Sequence, residues 1–328
     1  MKLEEYVQKF VKTCIQERAT DLYMLPRLDE YQIMYKRLKH CHIIQEVSQQ
    51  VGEQLIAYFK FQADMALSER RRPQTGAYYW QQQGSVVHLR LSSVGDFLNR
   101  ESMVIRFIYP VEDAHIQHLE PFQWEKLVGL ANKRGLLLFS GPMGSGKTTS
   151  IYQLARYLAQ EKVVMTIEDP VEIFEEKFLQ LQVNTRAEMT YEQLLKVGLR
   201  HRPDVFIIGE IRDDHTANVA VKAALSGHLV LSTVHAQNSF GVIRRLQQFN
   251  IDTEMLQQAL TGIAYQHLIP VKKGEVAALF DIMDGEELQN AFHKMPNQKM
   301  NVRWGECLEK EYQKHNISEK TLLEYQEG

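Results

Sequence analysis

The segment that most limits what this chain can fold into is an apolar run followed by a glycine-rich loop. The run covers residues 136–140, and Gly141–Thr148 follows it with the pattern G-x-x-x-x-G-K-T. A strand that enters such a loop is typical of a phosphate-binding loop, or P-loop, because the glycines let the backbone curl with its N–H groups facing inward. A glycine-rich turn that matches by accident is the alternative, and the later motifs of the chain argue against it. The segment therefore predicts an α/β fold that binds a nucleoside triphosphate.

Individual residues of the loop have separate roles in that prediction. Lys147 supplies a positive charge to the β- and γ-phosphates, and Thr148 offers a hydroxyl to Mg²⁺. A helix that begins near Lys147 adds the positive end of its dipole to the same place. ATP and Mg²⁺ are therefore the predicted ligands. The predicted nucleotide-binding residues of the loop are Gly141, Gly144, Ser145, Gly146, Lys147, Thr148 and Thr149.

Composition narrows the class of protein. The chain has 328 residues, enough for two domains, and its net charge of −3 gives no sign of a protein that binds nucleic acid directly. Its three cysteines are far apart and odd in number, which argues against a zinc site or a disulfide framework and favours the reducing cytoplasm. The N-terminus lacks the apolar region of a signal peptide, and no apolar stretch reaches the roughly 18 residues that span a bilayer. A place at the membrane would therefore require a partner.

Residues 1–112 are predicted to form an N-terminal mixed α/β domain. Apolar side chains at helical spacing predict a helix between residues 3 and 15, and a second helix is predicted between residues 46 and 61. Two prolines bracket the predicted linker, residues 113–121. Alternating and β-forming residues predict strands at 21–25, 31–38, 78–82, 86–91 and 103–108.

From residue 122 onward, predicted helices alternate with short apolar strands. Strands are predicted at 135–140, 163–168, 205–209 and 229–233. Helices are predicted at 190–201, which opens with the capping box Thr190-x-x-Gln193, and at 214–225, which an Asp precedes. This alternation predicts a mostly parallel sheet covered by helices over residues 122–270. Residues 271–328 are predicted to be a mostly helical extension, with helices at 302–313 and 319–324.

Two acidic segments follow predicted strands where a P-loop enzyme would need them. Glu168 lies in Thr166–Glu172, and Glu210 ends the apolar run Val205–Gly209. Either carboxylate could act on Mg²⁺ or on water beside the γ-phosphate. A turn capped by Asp-Pro is the competing interpretation of the first segment. For the second, the competing interpretation is simply that apolar strands often end in an acid.

Two histidines flank the next predicted strand. His228 precedes it and His235 follows it. A role in sensing the γ-phosphate is favoured for His235. For His228, a nucleotide contact and a purely structural role are equally open.

Together these segments resemble a known family. GPMGSGKTTS, TIEDPVE, IIGEIRD and GHLVLSTVHAQNS are similar to the Walker A, Asp box, Walker B and His box of the secretion ATPase superfamily. Members of that superfamily drive type II secretion and the assembly and retraction of type IV pili. ERRRPQTG resembles the family's R-x-P-Q-D-G stretch, with Thr75 in place of Asp. The resemblance implies a PAS-like N-terminal domain and a RecA-like P-loop NTPase domain.

The resemblance also implies roles for particular residues. Arg90 and Arg106 match arginines offered to the nucleotide, where positive charge offsets the charge that develops on the transferred phosphoryl group. A surface salt bridge is the alternative role for both. His228 joins the implied nucleotide-binding residues. The implied catalytic residues are Glu210, Glu168, Arg90, Arg106 and His235, and the implied Mg²⁺ ligands, partly through water, are Thr148, Glu168 and Glu210.

The chain lacks the long extra N-terminal domain and the four-cysteine zinc element of some related ATPases, and so resembles the competence ATPases of Gram-positive bacteria. That branch implies a cytoplasmic homohexamer, peripheral at the inner face of the cell membrane, that powers assembly of a competence pseudopilus for DNA uptake. The implied partners are a polytopic inner-membrane assembly protein and, indirectly, pilin-like subunits. Neither zinc nor direct DNA binding is expected.

Several alternatives stay open. A pilus retraction ATPase or a type IV secretion traffic ATPase is the nearest one, because retraction ATPases are also short. A RecA-type nucleic-acid motor and a nucleotide-binding regulator with little turnover belong to different classes. The sequence also leaves open whether Glu168 or Glu210 activates the water.

Overall fold

The computed structural model describes residues 2–37, 40–82, 85–109, 116–184, 187–272, 275–293, 300, 302–326 and 328. The chain divides into two compact units. The first comprises Met1–Pro110 together with Glu172–Phe174, and the second comprises Val111–Val171 and Glu175–Gly328. The predicted linker 113–121 begins outside the described residues, which resume at Ile116.

The first unit is built on a six-stranded antiparallel sheet. Its elements in chain order are α1 (Leu3–Gln16), β1 (Asp21–Pro26), β2 (Glu30–Arg37), β3 (His40–Ser48), α2 (Gln49–Gln62), β4 (Gln74–Gln82), β5 (Ser85–Gly95) and β6 (Glu101–Ile108). The strand order is β3-β2-β1-β6-β5-β4. The core lies between this sheet and the two helices, where Phe10 and Phe59 are buried against the strands.

Local sequence explains most of these elements. On α1, Val7, Phe10, Val11 and Cys14 are buried at the spacing of one helix face, as predicted. The helix predicted at 46–61 instead begins at Gln49, because residues up to Ser48 form β3. This prediction was wrong because most side chains of β3 are exposed at the edge of the sheet, so the strand has no apolar alternation.

The second unit contains the remaining strands and helices. They are β7 (Gln117–His118), α3 (Pro121–Leu130), β8 (Gly135–Ser140), α4 (Lys147–Leu158), β9 (Val164–Glu168), β10 (Leu179–Gln182), α5 (Tyr191–His201), β11 (Val205–Glu210), α6 (Asp214–Leu225), β12 (Leu229–Val234), α7 (Ser239–Gln248), α8 (Thr253–Ala259), β13 (Leu260–Pro270), β14 (Val276–Asp284), α9 (Gly285–His293), α10 (Val302–Gln313) and α11 (Glu319–Tyr325).

An eight-stranded, mostly parallel sheet organises this unit, in the order β10-β9-β11-β12-β8-β13-β14-β7. The first six strands in this spatial order, from β10 through β13, pair parallel with their neighbours. The next strand, β14, pairs antiparallel with β13. Every residue of β8, β9 and β12 is buried, as expected for strands covered on both faces. The predicted fold class, mixed α/β in the first unit and a mostly parallel sheet in the second, is confirmed.

The end of the chain differs from the sequence-based expectation. Residues 276–284 form the long strand β14, which the prediction of a mostly helical extension omitted. The predicted helices at 302–313 and 319–324 are present as α10 and α11. Trp304 and Leu308 of α10 pack against Ile269 of β13 and Leu279 of β14, so this region is joined to the sheet. Among the described residues, no helix is long and apolar enough to cross a membrane.

Candidate nucleotide-binding site

The P-loop connects the end of β8 to the start of α4. Gly141 and Gly146 have φ angles of 141° and 82°, a region that L side chains rarely adopt. A Cβ on Gly141 would also lie only 2.2 Å from the backbone oxygen of Gln266. These positions therefore need glycine, both for the curl of the loop and for its close approach to β13.

Lys147 begins α4 and turns back over the loop. Its Nζ donates to the carbonyls of Gly141 and Pro142, each at 2.9 Å, and the residue is only 9% exposed. Burial lowers the pKa of His267, and the positive charge of Lys147 lowers it further. The ammonium group thus lies beside the first residues of the P-loop, where it can contact a phosphate.

The residues around the loop fit a bound phosphate chain. No atom lies within 4 Å of the position that a Cβ on Gly144 would take, so this side of the loop is open. Among the described residues, the hydroxyls of Ser145 and Ser150 are buried and have no hydrogen-bond partner. The N-terminus of α4, with the positive end of its dipole, faces the same place.

The hydroxyl and carboxylate oxygens near the loop also fit Mg²⁺. No group of three or more His, Cys, Asp or Glu within the described ranges could hold a metal ion. Mg²⁺ usually keeps several waters and binds through one or two protein oxygens plus substrate phosphates. Thr148 in the first turn of α4, together with the nearby acids, offers such a set.

Both predicted acids lie at the sheet edge where the P-loop begins. β9 and β11 are neighbouring parallel strands, with Ile167 paired to Ile208, so Glu168 and Glu210 follow at the same end. Gly209 lies at an irregularity in the ladder between β11 and β12. A Cβ on Gly209 would lie 3.3 Å from Cγ of Glu168, so glycine lets this carboxylate side chain pack against β11.

Glu168 is buried and held by a tyrosine. The Tyr152 hydroxyl donates to its Oε1 at 2.6 Å, and Gln180 Nε2 donates to the same hydroxyl at 2.8 Å. Burial first, and the Glu168 charge second, raise the pKa of Tyr152 well above its usual value. Tyr152 therefore remains a protonated donor to Glu168.

Glu210 is more open and has two basic neighbours. Arg212 Nε donates to its Oε2 at 2.8 Å, and His235 Nε2 lies 3.1 Å from its Oε1. The hydrogen bond to Glu210 raises the pKa of Arg212. The structure thus brings together Glu210 and His235, two of the residues singled out in the sequence.

His228 is not brought to the P-loop. Leu229, which follows it, pairs with Gly135 at the start of β8, whereas the P-loop follows Ser140 at the end. The two ends are separated by five strand steps, roughly 17 Å. The His228 ring instead packs edge-on against Phe206, with Nδ1 3.3 Å from the Ala223 carbonyl. The structure thus places His228 away from the P-loop of its own chain, and its expected contact with a nucleotide stays a prediction.

Arg90 and Arg106 belong to the first unit. They are direct partners on β5 and β6, and Arg106 Nε donates to Asp21 Oδ1 at 3.0 Å. Arg106 thus has the salt bridge that was considered as its alternative role. Contact of either arginine with a nucleotide stays a prediction.

Sequence reasoning missed three residues of this site. Tyr152 lies on the buried face of α4, and nothing in its spacing distinguishes it from a core tyrosine. Gln266 lies on β13, which was not predicted as a strand. Arg212 had a signal, because it follows the candidate acid Glu210 by two residues.

Comparison with known proteins decides the family. A family model described as type II/IV secretion system protein matches residues 1–320. The chain belongs to this family. The resemblance predicted from the four motifs, to secretion ATPases, is therefore confirmed.

Individual relatives agree with that assignment. Competence protein ComGA of Streptococcus pneumoniae is 40% identical over 269 residues, which cover 81% of this chain and 85% of that protein. Competence protein ComGA of Bacillus subtilis is 34% identical over 325 residues, with 91% of each chain covered. The predicted similarity to the competence branch is thus confirmed.

Solved structures share the fold. The pilus retraction motor PilT with bound ADP superposes with a TM-score of 0.74 at 22% identity, covering 97% of this chain and 96% of that one. The ATPase DotB of Legionella pneumophila gives 0.71 at 18% identity, covering 97% and 94%. At these identities the likeness concerns the fold alone.

Proposed function

We propose that this chain is an ATP-hydrolysing motor that powers assembly of a competence pseudopilus for DNA uptake. The observation that carries the proposal is that the P-loop, Glu168 and Glu210 share one edge of the parallel sheet. Similarity to competence proteins over most of their length supports the biological role. The motor would work as a homohexamer on a polytopic membrane protein, which in turn would handle pilin-like subunits.

The P-loop would hold the phosphates of ATP. Lys147 Nζ now lies on the Gly141 and Pro142 carbonyls, and it would exchange these neutral acceptors for charged β- and γ-phosphate oxygens. Backbone N–H groups of the loop and the start of α4 would hold the remaining oxygens. Mg²⁺, held by Thr148 and the phosphates, would neutralise charge on the β- and γ-phosphates.

We assign different tasks to the two acids. Glu168 is buried and accepts a hydrogen bond from Tyr152, and its carboxylate would orient a water for in-line attack. Glu210 is paired with Arg212 and is more open than Glu168, so its carboxylate would meet the waters around the metal. His235, which lies on the other Glu210 oxygen, would respond to changes at the γ-phosphate.

Arg90 and Arg106 are proposed as the source of additional positive charge. They stand side by side on neighbouring strands, where two guanidinium groups repel each other unless an anion lies nearby. Asp21 supplies part of that compensation to Arg106. A bound phosphate oxygen would bring further negative charge, and the two arginines would stabilise it as that charge develops.

A complementation experiment tests the proposed role. A strain that lacks the gene is complemented with the wild-type chain, with Lys147→Ala, or with Lys320→Ala at an exposed lysine of α11 as the matched control. We expect surface fibres and transformation with the wild type and the control, and neither with Lys147→Ala. Restoration of both by Lys147→Ala would contradict the proposal. Fibres in the gene-deleted strain itself would favour a retraction ATPase instead.

A further inference from the structure

Gln266 is a buried glutamine that lies beside the P-loop. It lies on β13, and the residue before it, Tyr265, pairs with Ser140 at the end of β8. Gln266 therefore stands level with the loop that follows Ser140. Its relative exposure is 0%, so its amide group has no access to bulk water.

The residue contacts both ends of the loop. Its Nε2–H donates to the Ser145 carbonyl at 2.7 Å, and this hydrogen bond is buried. The same nitrogen lies 3.1 Å from the position that a Cβ on Gly146 would take. At the other end, the backbone oxygen of Gln266 would be 2.2 Å from a Cβ on Gly141. The loop therefore curls around Gln266.

This hydrogen bond determines where one loop donor points. The Ser145 carbonyl and the Gly146 N–H belong to the same peptide group, and in a planar trans peptide they point in opposite directions. A carbonyl held towards Gln266 therefore turns the Gly146 N–H away from β13. Gly146 has a φ of 82°, and glycine tolerates several backbone conformations, so this peptide needs an external contact to keep one orientation.

We propose that Gln266 is a positioning residue for phosphate binding, which fixes the Ser145–Gly146 peptide so that the Gly146 N–H faces the phosphates. The proposal rests on the nucleotide site of the proposed function. Without the amide, the Ser145 carbonyl would be buried without a donor, and the peptide would rotate to find one. The loop would then have to be reordered each time a nucleotide binds, and affinity would fall.

Gln123 provides a matched control in the same unit. It is also buried, and its Nε2–H donates to the Phe280 carbonyl at the same distance, 2.7 Å. Its Oε1 accepts from the Phe280 N–H at 3.0 Å, so it joins α3 to β14. Loss of this amide removes two buried hydrogen bonds, which join α3 to the backbone of β14 and do not involve the P-loop.

The experiment compares Gln266→Met with Gln123→Met in the full chain. Methionine keeps the length of the side chain and removes its hydrogen bonds. For each variant we would measure the dissociation constant of a fluorescent ATP analogue, the KM and kcat for ATP, and the thermal unfolding midpoint without nucleotide. We expect both variants to unfold at lower temperature than the wild type. Only Gln266→Met should bind the analogue more weakly, by roughly 5- to 150-fold, with a raised KM and little change in kcat.

The results distinguish a failure of the Gln266 proposal from a failure of the nucleotide site. Wild-type affinity in Gln266→Met, or an equal loss of affinity in Gln123→Met, would overturn the proposal. If Gln266→Met does not fold, Gln266→Asn is measured instead, since its amide stops roughly 1.5 Å short of the Ser145 carbonyl. Wild-type affinity in that variant would overturn the proposal as well. If the wild-type chain itself does not bind the analogue, the nucleotide site of the proposed function is refuted, together with the role of Gln266.

Discussion

Single residues of the candidate site are held by neighbours that come from other elements. Tyr152 on α4 donates to Glu168 on β9, and Gln180 on β10 donates to Tyr152. This chain of hydrogen bonds connects the helix that follows the P-loop to an acid proposed to orient water. A change in α4 when phosphate binds can thereby reach Glu168.

The Tyr152→Phe variant tests this connection. Phenylalanine fills the same space but removes the donor, so Glu168 loses a hydrogen bond to a charged group, which is worth about 1.5–3 kcal/mol. We expect kcat for ATP to fall roughly tenfold or more while KM stays within a factor of two. Tyr157→Phe, on the same helix but 51% exposed, is the control. Equal kcat values for the two variants in a phosphate-release assay would show that Tyr152 does not position Glu168.

Among the single residues of the site, the sequence pattern predicted those that lie at the end of a strand. Glu168, Glu210 and His235 each come at or just after the carboxyl end of a parallel strand, and such ends meet at one edge of a sheet. Gln266 was not identifiable, because its role depends on the register between β13 and β8. His228 precedes β12 and so lies at the opposite end of the strand, a position that the motif alone does not indicate.

Among the elements, the segment before β4 depends on an unusual buried ion pair. Lys60 of α2 donates to Glu101 Oε1 of β6 at 2.8 Å, with the side chains only 1% and 8% exposed. Lys60 also donates to the backbone carbonyl of Glu69, to which Gln74 Nε2 donates as well. The segment that carries the R-x-P-Q-T-G motif is thus fixed by hydrogen bonds from buried polar side chains.

We expect Lys60→Met to be strongly destabilising. Removing one member of a buried ion pair leaves an uncompensated charge on Glu101, at a cost of about 3–5 kcal/mol. The double variant Lys60→Met/Glu101→Leu should recover most of this loss, because neither charge remains. Urea unfolding, followed by far-ultraviolet circular dichroism, measures both. A Lys60→Met chain as stable as the wild type would mean that the ion pair does not support the first unit.

The elements that could be predicted are those with a clear apolar pattern. The buried strands β8, β9, β11 and β12 appear in the sequence as short apolar runs, and α1 shows the spacing of one helix face. β3 lies at the edge of its sheet and is mostly exposed, so it has no such pattern. β14 is mostly apolar, is interrupted by Asp281 and shows no alternation, so its pattern does not distinguish a buried strand from a helix segment.

The whole molecule combines two units of different architecture within one family match. The match spans residues 1–320 and so covers most of both units. The change from an antiparallel to a parallel sheet was predictable, because helix and strand signals alternate only in the second half. The joining of β13, β14 and the last helices to the parallel sheet was not predictable, because it depends on long-range packing around Trp304.

Steady-state phosphate release by the purified full chain, with ATP and Mg²⁺, tests most directly whether this molecule hydrolyses ATP at its P-loop. The wild type is compared with Lys147→Ala and with the control Lys320→Ala. Lys147 is the buried cation of the loop, so its loss removes the charge that meets the β- and γ-phosphates. We expect turnover in the wild type and the control, and turnover reduced by about a hundredfold or more in Lys147→Ala. Equal turnover in Lys147→Ala and the wild type would contradict the assignment of the site.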